Sequence, residues 1–133
     1  MSYRFLTKNE ILIIHEEMVR RYGGSLRIWD ERKLDAAVEA PRSGFGGVLA
    51  HSTIWEVAAA YWFHISQAHP FEAANKRTAA AACLTFLRLH GYRTTSEHKA
   101  LVQIGLAVAK GEMSEEALAD WLGHHVELIS SHS

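Results

Sequence analysis

The fold is decided by one stretch of the chain, which over residues 75–91 reads NKRTAAAACLTFLRLHG. After the first turn it is apolar on almost every side of a helix, and Gly91 provides a helix stop. A helix that is apolar all round packs in the middle of a bundle rather than on its surface. The sequence therefore predicts a buried central helix that begins at Asn75 and ends at His90.

Five further helices are expected around this one, because apolar residues recur at helical spacing behind recognisable caps. Two of them begin at capping boxes, in which a Thr is followed three residues later by a Glu. Pro41 is expected to end the second helix, and the glycine-rich residues 42–50 are expected to form a loop. The five predicted helices span residues 7–22, 30–40, 53–67, 96–111 and 114–126.

The length and composition agree with one compact domain. The chain has 133 residues, of which 48% are hydrophobic, so a substantial core can form. No alternating pattern is long enough for a central strand, although residues 26–29 and 93–95 could form short edge strands. We therefore predict an all-α fold in which residues 1–133 form a single domain, a bundle of about six helices.

The charge of the chain is almost balanced, with 14 Lys and Arg residues against 15 Asp and Glu. Such a chain has no long-range field that would hold it on nucleic acid or on an anionic membrane. No run of about 18 apolar residues could span a bilayer, the first residues lack the pattern of a secretion signal, and the single cysteine, Cys83, cannot form an internal disulfide. A cytoplasmic protein without direct nucleic-acid or membrane partners is expected.

The nine histidines do not indicate a zinc site. Neither His64 with His69 nor His124 with His125 has the i, i+4 spacing that brings two imidazoles together on one helix face, and no cysteine pair accompanies them. Most of the histidines are therefore expected at the surface or in satisfied core positions.

The candidate chemistry lies in residues 69–78, which read HPFEAANKRT and form a loop that leads into the central helix. The free backbone N–H groups and the dipole at the start of a helix favour an anion. Lys76 and Arg77 are unusual in this first turn, because cations normally suit the other end of a helix. A bound phosphate would compensate their charge; the alternative is that both side chains simply extend into solvent.

His69 lies at the other end of this short loop. A loop histidine on its own is usually a polar surface residue. Here a neutral imidazole could accept the proton of an attacking hydroxyl while the helix start holds the phosphates of a nucleotide. The two features together predict phosphoryl or nucleotidyl transfer.

These residues resemble the motif of the Fic/Doc superfamily, in which His-Pro-Phe is followed by Ala-Asn-Lys-Arg-Thr and then by a helix that ends near Gly-Tyr, here Gly91 and Tyr92. The Asn-Lys-Arg-Thr form is similar to the death-on-curing (Doc) toxins rather than to the larger Fic adenylyltransferases. Residues 22–42 are similar to the opening pattern of the same branch.

The resemblance implies an all-α toxin of a toxin-antitoxin pair, which transfers a phosphate from ATP to a hydroxyl of elongation factor Tu and so blocks translation. It also implies an antitoxin whose disordered tail folds as a helix in a groove of the toxin. By position, His69 matches the general base and Phe71 the residue that anchors the loop in the core. The residues that match phosphate-binding positions are Ala74 and Asn75 in the anion-binding turn, Lys76 and Arg77 in the phosphate clamp, and, as a weaker candidate three turns further on, Arg88.

Position 73 departs from the family pattern, because Ala73 stands where the resemblance implies an Asp or Glu that binds Mg²⁺. Mg²⁺ is usually held by one or two carboxylates together with substrate phosphates, so this loss should weaken metal and nucleotide binding together and could leave the chain inactive. Glu72 is adjacent but need not point the same way. The chain is either a naturally degenerate member or a toxin silenced by substitution. Our hypothesis is the second, because the other motif positions carry the residues of the family pattern.

Two alternatives to the kinase stay open. Adenylylation would use the same fold and loop, but adenylylating members carry Gly where this chain has Lys76, which favours the kinase. A catalytically dead module that only engages an antitoxin or a target is the other alternative, and Ala73 is the residue that favours it.

Two further features have no assigned role. Most of the tryptophans are expected in or beside the core, although one that is exposed beside the motif could stack on an adenine or contact a partner. Residues 112–127 are acidic and could meet a basic segment of a partner. The four tryptophans are Trp29, Trp55, Trp62 and Trp121.

Positions 27 and 29 differ from the pattern of the Doc branch, which usually has Gly and Arg where this chain has Arg27 and Trp29. No role is therefore carried over from the family to these two residues.

Overall fold

The computed structural model describes residues 3–43 and 52–129. Within these two ranges the chain forms six α-helices and two three-residue strands, which confirms the predicted all-α fold. No helix in the described ranges is long and apolar enough to cross a membrane. In chain order the elements are α1 (Lys8–Tyr22), α2 (Glu31–Ser43), α3 (Ile54–Ala68), α4 (Asn75–Leu89), β1 (Tyr92–Thr94), α5 (His98–Ala109), α6 (Glu115–His124) and β2 (Val126–Leu128).

Helices α3 and α4 lie at the centre of the bundle and pack on each other. Helix α3 also contacts α2, α5 and α6, whereas α4 also contacts α1, α5 and β1. Three of the four largest fully buried rings belong to this pair, Tyr61 and Trp62 to α3 and Phe86 to α4; the fourth is Phe71 in the loop between them. Burying a ring such as Phe86 stabilises the fold by roughly 1.5–3 kcal/mol. Cys83 is completely buried in the same interior, where burial raises the pKa of its thiol. The predicted central helix is therefore α4, and α3 shares its position.

The two predicted capping boxes are confirmed. At the start of α1, the Thr7 hydroxyl accepts a hydrogen bond from the backbone N–H of Glu10 (3.1 Å), and the Glu10 carboxylate accepts one from the N–H of Thr7 (2.9 Å). Thr53 and Glu56 form the same pair at the start of α3, at 3.2 and 2.7 Å. Hydrogen bonds from Arg4 and Thr7 lower the pKa of Glu10 to about 2, so this cap stays ionised in any ordinary buffer.

The expectation that Pro41 ends α2 is wrong, since Pro41 lies inside the helix and α2 continues to Ser43. A proline has no backbone N–H to donate. In the last turn of a helix this costs one hydrogen bond, the one that the Ala37 carbonyl would otherwise accept from residue 41. The proline ring is also buried and so contributes to the core. The predicted loop at 42–50 is therefore wrong for residues 42 and 43, which are helical, and residues 44–50 lie outside the described residues.

Two elements near the C-terminal end also differ from the prediction. Helix α5 begins at His98, two residues after the expected start. Helix α6 ends at His124, and Val126 begins β2, which pairs antiparallel with β1. The predicted edge strand at 93–95 is thus confirmed with a shift of one residue. The partner strand was missed because cross-strand residues lie 34 positions apart, beyond the reach of a local pattern.

We predict that Thr53→Ala lowers the free energy of unfolding by about 1 kcal/mol, because a backbone N–H at the start of α3 loses its partner. Urea denaturation followed by circular dichroism measures this change. Thr95→Ala is the control, since the exposed Thr95 caps no helix, and we expect it to change the stability by less than about 0.5 kcal/mol. Equal losses in the two variants would contradict the capping role.

Candidate active site

The candidate site is the loop of residues 69–74, which joins the end of α3 to the start of α4. Two non-glycine residues of this loop have a left-handed backbone. His69 (φ 49°, ψ 54°) ends α3, and Ala74 (φ 65°, ψ 25°) precedes α4. Such conformations cost roughly 1–3 kcal/mol each and persist only where the surrounding structure imposes them. The contacts that impose them here come from three directions.

The first contact is made by the side chain of Asn75, which is 4% exposed. Its Oδ1 accepts a hydrogen bond from the backbone N–H of Phe71 (3.0 Å), and its Nδ2 donates one to the carbonyl oxygen of Phe71 (2.8 Å). Phe71 itself is completely buried, as expected for the residue that anchors the loop. Because both Oδ1 and Nδ2 of the side chain are already hydrogen-bonded to Phe71, Asn75 can offer a ligand its backbone N–H rather than its side chain.

The second contact comes from α1. The ring of His15 stacks on that of Phe71, with the ring centres 3.7 Å apart and the planes within 8° of parallel. His15 Nε2 lies 2.9 Å from the carbonyl oxygen of Ala73, which can only accept, so Nε2 carries the proton and donates. Burial lowers the pKa of His15 despite this hydrogen bond, so the ring is held neutral. Sequence reasoning assigned His15 no role of its own, although its position among the isoleucines Ile11, Ile13 and Ile14 of α1 was a signal that it is buried.

The third contact is with residues 27–30. The carbonyl oxygen of Pro70 accepts hydrogen bonds from the N–H groups of Trp29 (2.7 Å) and Asp30 (3.0 Å). The N–H of Glu72 donates to the carbonyl oxygen of Arg27 at 3.0 Å, so the loop and this segment form one hydrogen-bonded unit. A single bridge pairs residues 28 and 71, which is all that remains of the strand expected at 26–29.

The first turn of α4 presents three backbone N–H groups, those of Asn75, Lys76 and Arg77, and no side chain caps them. The N–H of Thr78 is the first to bond within the helix, to the carbonyl oxygen of Ala74 at 2.9 Å. A left-handed residue followed by helical ones turns successive N–H groups towards a common point, an arrangement that binds anions. This turn also contains no acidic residue, so the helix dipole and both cations favour an anion at the same place.

Arg77 is oriented by a contact with the end of α1. Its guanidinium carbon lies 4.5 Å from the centre of the Tyr22 ring, in a cation–π arrangement. Tyr22 is the last residue of α1 and is half exposed. Stacking on a ring leaves the in-plane N–H groups of a guanidinium free to bind two oxygens. Of the two cations predicted to bind phosphate, Arg77 is held in place by Tyr22, whereas the exposed Lys76 is free to move.

Ala73 packs tightly against the turn that follows α1. Gly24 (φ 114°) lies so close that a Cβ on it would come within 2.9 Å of the Cβ of Ala73. The loop contains one carboxylate, that of Glu72, which lies 3.9 Å from the guanidinium of Arg27. In the described ranges no group of three or more His, Cys, Asp and Glu side chains could hold a metal ion. The N–H groups and cations of the turn suit phosphate oxygens, and no carboxylate stands at position 73 to hold Mg²⁺ beside them.

The structure separates Arg88 from the other predicted site residues. Arg88 follows Arg77 by eleven residues on the same side of α4, which places it about 16 Å further along the helix. There it lines a different cavity of about 350 Å³ together with Leu84 and Tyr92. The residues that the structure does bring together in or beside the loop are His69, Phe71, Ala73, Ala74, Asn75, Lys76 and Arg77.

A helical bundle with an anion-binding turn at the start of a central helix agrees with the family comparison. The model of the Fic/DOC family matches residues 5–87, and the chain belongs to this family. The matched range contains α1, α2, α3, most of α4 and the whole loop, so the family assignment covers the candidate site.

Two relatives have names of the death-on-curing branch. The chain is 30% identical over 125 residues to the protein kinase doc of Escherichia phage P1, and this alignment covers 90% of the chain and 93% of that protein. It is 38% identical over 76 residues to the toxin Doc of Mycolicibacterium smegmatis, which covers 57% of the chain and 58% of that protein. The resemblance seen in the sequence is thereby confirmed.

We predict that His15 makes the stability of the protein depend on pH. Because the pKa of His15 is lowered in the folded state, the unfolded chain binds more protons just below pH 6.5, and the free energy of unfolding falls as the pH decreases through this range. The variant His15→Phe keeps the stack on Phe71 but cannot titrate, so it should lose part of this slope. Urea denaturation at a series of pH values measures it.

The control for this experiment is His98→Gln, at the exposed start of α5. It should keep the pH dependence of the parent chain. A slope that is equally steep in His15→Phe and in the parent chain would show that other groups cause it.

We also predict that Asn75→Ala lowers the free energy of unfolding by about 3 kcal/mol, because the buried N–H and carbonyl groups of Phe71 both lose their partner. Asn75→Asp should recover part of this loss, since a carboxylate can accept from the N–H but cannot donate to the carbonyl. The adjacent Lys76→Ala, at an exposed position, should change the stability by less than about 0.5 kcal/mol. Thermal and urea denaturation measure all three.

Proposed function

We propose that the protein is the toxin of a toxin-antitoxin pair, built as a kinase that transfers a phosphate from ATP to a hydroxyl of a protein target, and that Ala73 silences this activity in the chain as written. The observation that carries this proposal is the start of α4, where three backbone N–H groups that no side chain caps share one turn with Lys76 and Arg77. His69 ends α3 at the other end of the same short loop. Membership of the Fic/DOC family and the names of the two relatives support the same function.

In the proposed reaction, the γ-phosphate of ATP lies against the N–H groups of Asn75, Lys76 and Arg77, which stabilise its developing charge. The hydroxyl oxygen of the target attacks the γ-phosphorus, the bond from that phosphorus to the bridging oxygen breaks, and ADP leaves. The hydroxyl proton passes to the imidazole of His69, which makes no hydrogen bond to any described residue and is therefore free to accept it.

The proposed cofactor is ATP. A nucleotide of high negative charge fits the cationic turn, and Arg77, resting on Tyr22, can bind two phosphate oxygens at once. Mg²⁺ is expected for this family, but Ala73 offers it no carboxylate ligand, so no step of the reaction above depends on it.

The proposed partners are a protein substrate, which the resemblance suggests is elongation factor Tu, and an antitoxin with a helix-forming disordered tail. Phosphorylation of the substrate would block translation in the cytoplasm. One carboxylate of the acidic helix α6 already has a partner within the chain, because Oε1 of Glu115 lies 3.0 Å from Nε2 of His64. Direct binding of nucleic acid or membrane is not part of the proposal.

A catalytically dead binding module is the second candidate, and the specific observation that favours it is Ala73. Without a carboxylate at this position the chain can keep its fold and its phosphate-binding turn while losing catalysis. Adenylylation is less favoured, because Lys76 adds a charge at a position where adenylylating members have Gly.

We predict that Ala73→Asp arrests bacterial growth on induction, whereas the chain as written does not. An Asp at this position supplies the type of ligand that Mg²⁺ prefers beside nucleotide phosphates. Ala73→Asn is the matched control, since it has the same shape against Gly24 without the charge, and it should allow growth. Adding His69→Ala to Ala73→Asp should also restore growth, because the general base is lost.

Mass spectrometry of the modified target identifies the transferred group, since a phosphate and an AMP differ greatly in mass. A phosphate on a hydroxyl residue is the expected result, and an AMP would favour adenylylation. Normal growth with Ala73→Asp, together with a failure of that variant to bind ATP, would instead favour the binding module.

A further inference from the structure

A cavity of about 290 Å³ lies beside the candidate site, and Trp29, Arg27 and Glu72 line it. Its volume is just below the range typical of small-molecule pockets, and its described lining combines one aromatic ring with two charged side chains. None of these three side chains takes part in the proposed phosphate binding. The cavity is therefore distinct from the anion-binding turn, although both belong to the same hydrogen-bonded unit.

Trp29 is 70% exposed, more than any other large apolar side chain in the described ranges. Its backbone is nevertheless fixed, because its N–H donates to the carbonyl oxygen of Pro70 at 2.7 Å. Trp62, by contrast, is completely buried, as expected for most of the tryptophans. The Trp29 ring is attached to a hydrogen-bonded backbone and is exposed to solvent, so a flat ligand can stack on it.

The cavity lies within the reach of a nucleotide bound at α4. The N–H of Glu72 donates to the carbonyl oxygen of Arg27, so a wall of the cavity is bonded directly to the loop. Three residues further on, Asn75 begins α4, and the chain between the two positions spans at most about 11 Å. An extended nucleoside triphosphate bridges a distance of that order.

We infer that Trp29 stacks on the base of the nucleotide whose phosphates bind at the start of α4. This inference rests on the proposed function and adds where the base lies. A protein segment is a less suitable occupant, because a stable protein interface needs a broad surface of roughly 800 Å² on each partner. Among the described residues, the lining consists of one aromatic ring and two charged side chains, which suits a single flat ring that bears polar groups. The carboxylate of Glu72 can accept a hydrogen bond from the amino group of adenine.

The test compares ATP with inorganic tripolyphosphate, which has the phosphates but no base, by calorimetric titration of the full chain. It is carried out on the chain as written and on Ala73→Asp. We expect Trp29→Ala to weaken ATP binding about tenfold, which is within the range for loss of one base–aromatic stack, and to leave tripolyphosphate binding unchanged.

Two control variants and one optical signal sharpen this test. Trp29→Phe keeps a flat ring and should retain most of the ATP affinity. Leu26→Ala removes another exposed apolar side chain of the same segment and should leave both affinities unchanged. ATP should alter the intrinsic tryptophan fluorescence of the parent chain, and most of this change should be absent in Trp29→Phe even though ATP still binds.

The outcomes separate the inference from the proposed function. Equal ATP affinity in Trp29→Ala and the parent chain would overturn the inference alone, provided that Arg77→Ala weakens the binding of both ligands. Weaker tripolyphosphate binding in Trp29→Ala would also overturn it, because the ring would then act by shaping the loop. Failure of both ATP and tripolyphosphate to bind either form of the chain would overturn the inference and the proposed function together.

Discussion

Two hydrogen bonds between the side chain of Asn75 and the backbone of Phe71 set the geometry on which the candidate site depends. They join the first residue of α4 to the middle of the loop, and the buried ring of Phe71 joins the loop to the core. The free N–H groups of the first turn are thereby fixed relative to the whole bundle. An anion at this point meets donors that are already in place, so little ordering is needed when it binds.

The electrostatic arrangement of the loop is the reverse of the one that would best stabilise an isolated helix. Two cations occupy the positive end of α4, and the acidic residue just before it, Glu72, pairs with Arg27 instead of capping the helix. The protein tolerates this because Lys76 and Arg77 are exposed to water and Arg77 rests on Tyr22. The near-zero net charge of the chain therefore hides a local excess of positive charge where a phosphate is proposed to bind.

The parts of the structure that local sequence patterns determine were predictable, and the parts that depend on distant contacts were not. The capping boxes at Thr7 and Thr53 each need only four consecutive residues, and the loop motif needs ten. The hydrogen bond from His15 to Ala73 joins residues 58 positions apart, and no period or spacing reveals it. The exposure of Trp29 is of the same kind, because composition predicts that a tryptophan is buried unless its neighbours in space are known.

The position of Cys83 gives the protein an internal reporter of its own opening. Burial keeps this thiol protonated, and therefore unreactive, for as long as α4 stays packed against α3. Because the chain has no other cysteine, any reaction with an added thiol reagent records a moment at which the central pair of helices has separated. When the reagent reacts faster than the bundle recloses, the rate of that reaction gives the lifetime of the closed bundle. A ligand that binds only the closed form then lowers the rate in proportion to the fraction of the protein that it leaves unoccupied.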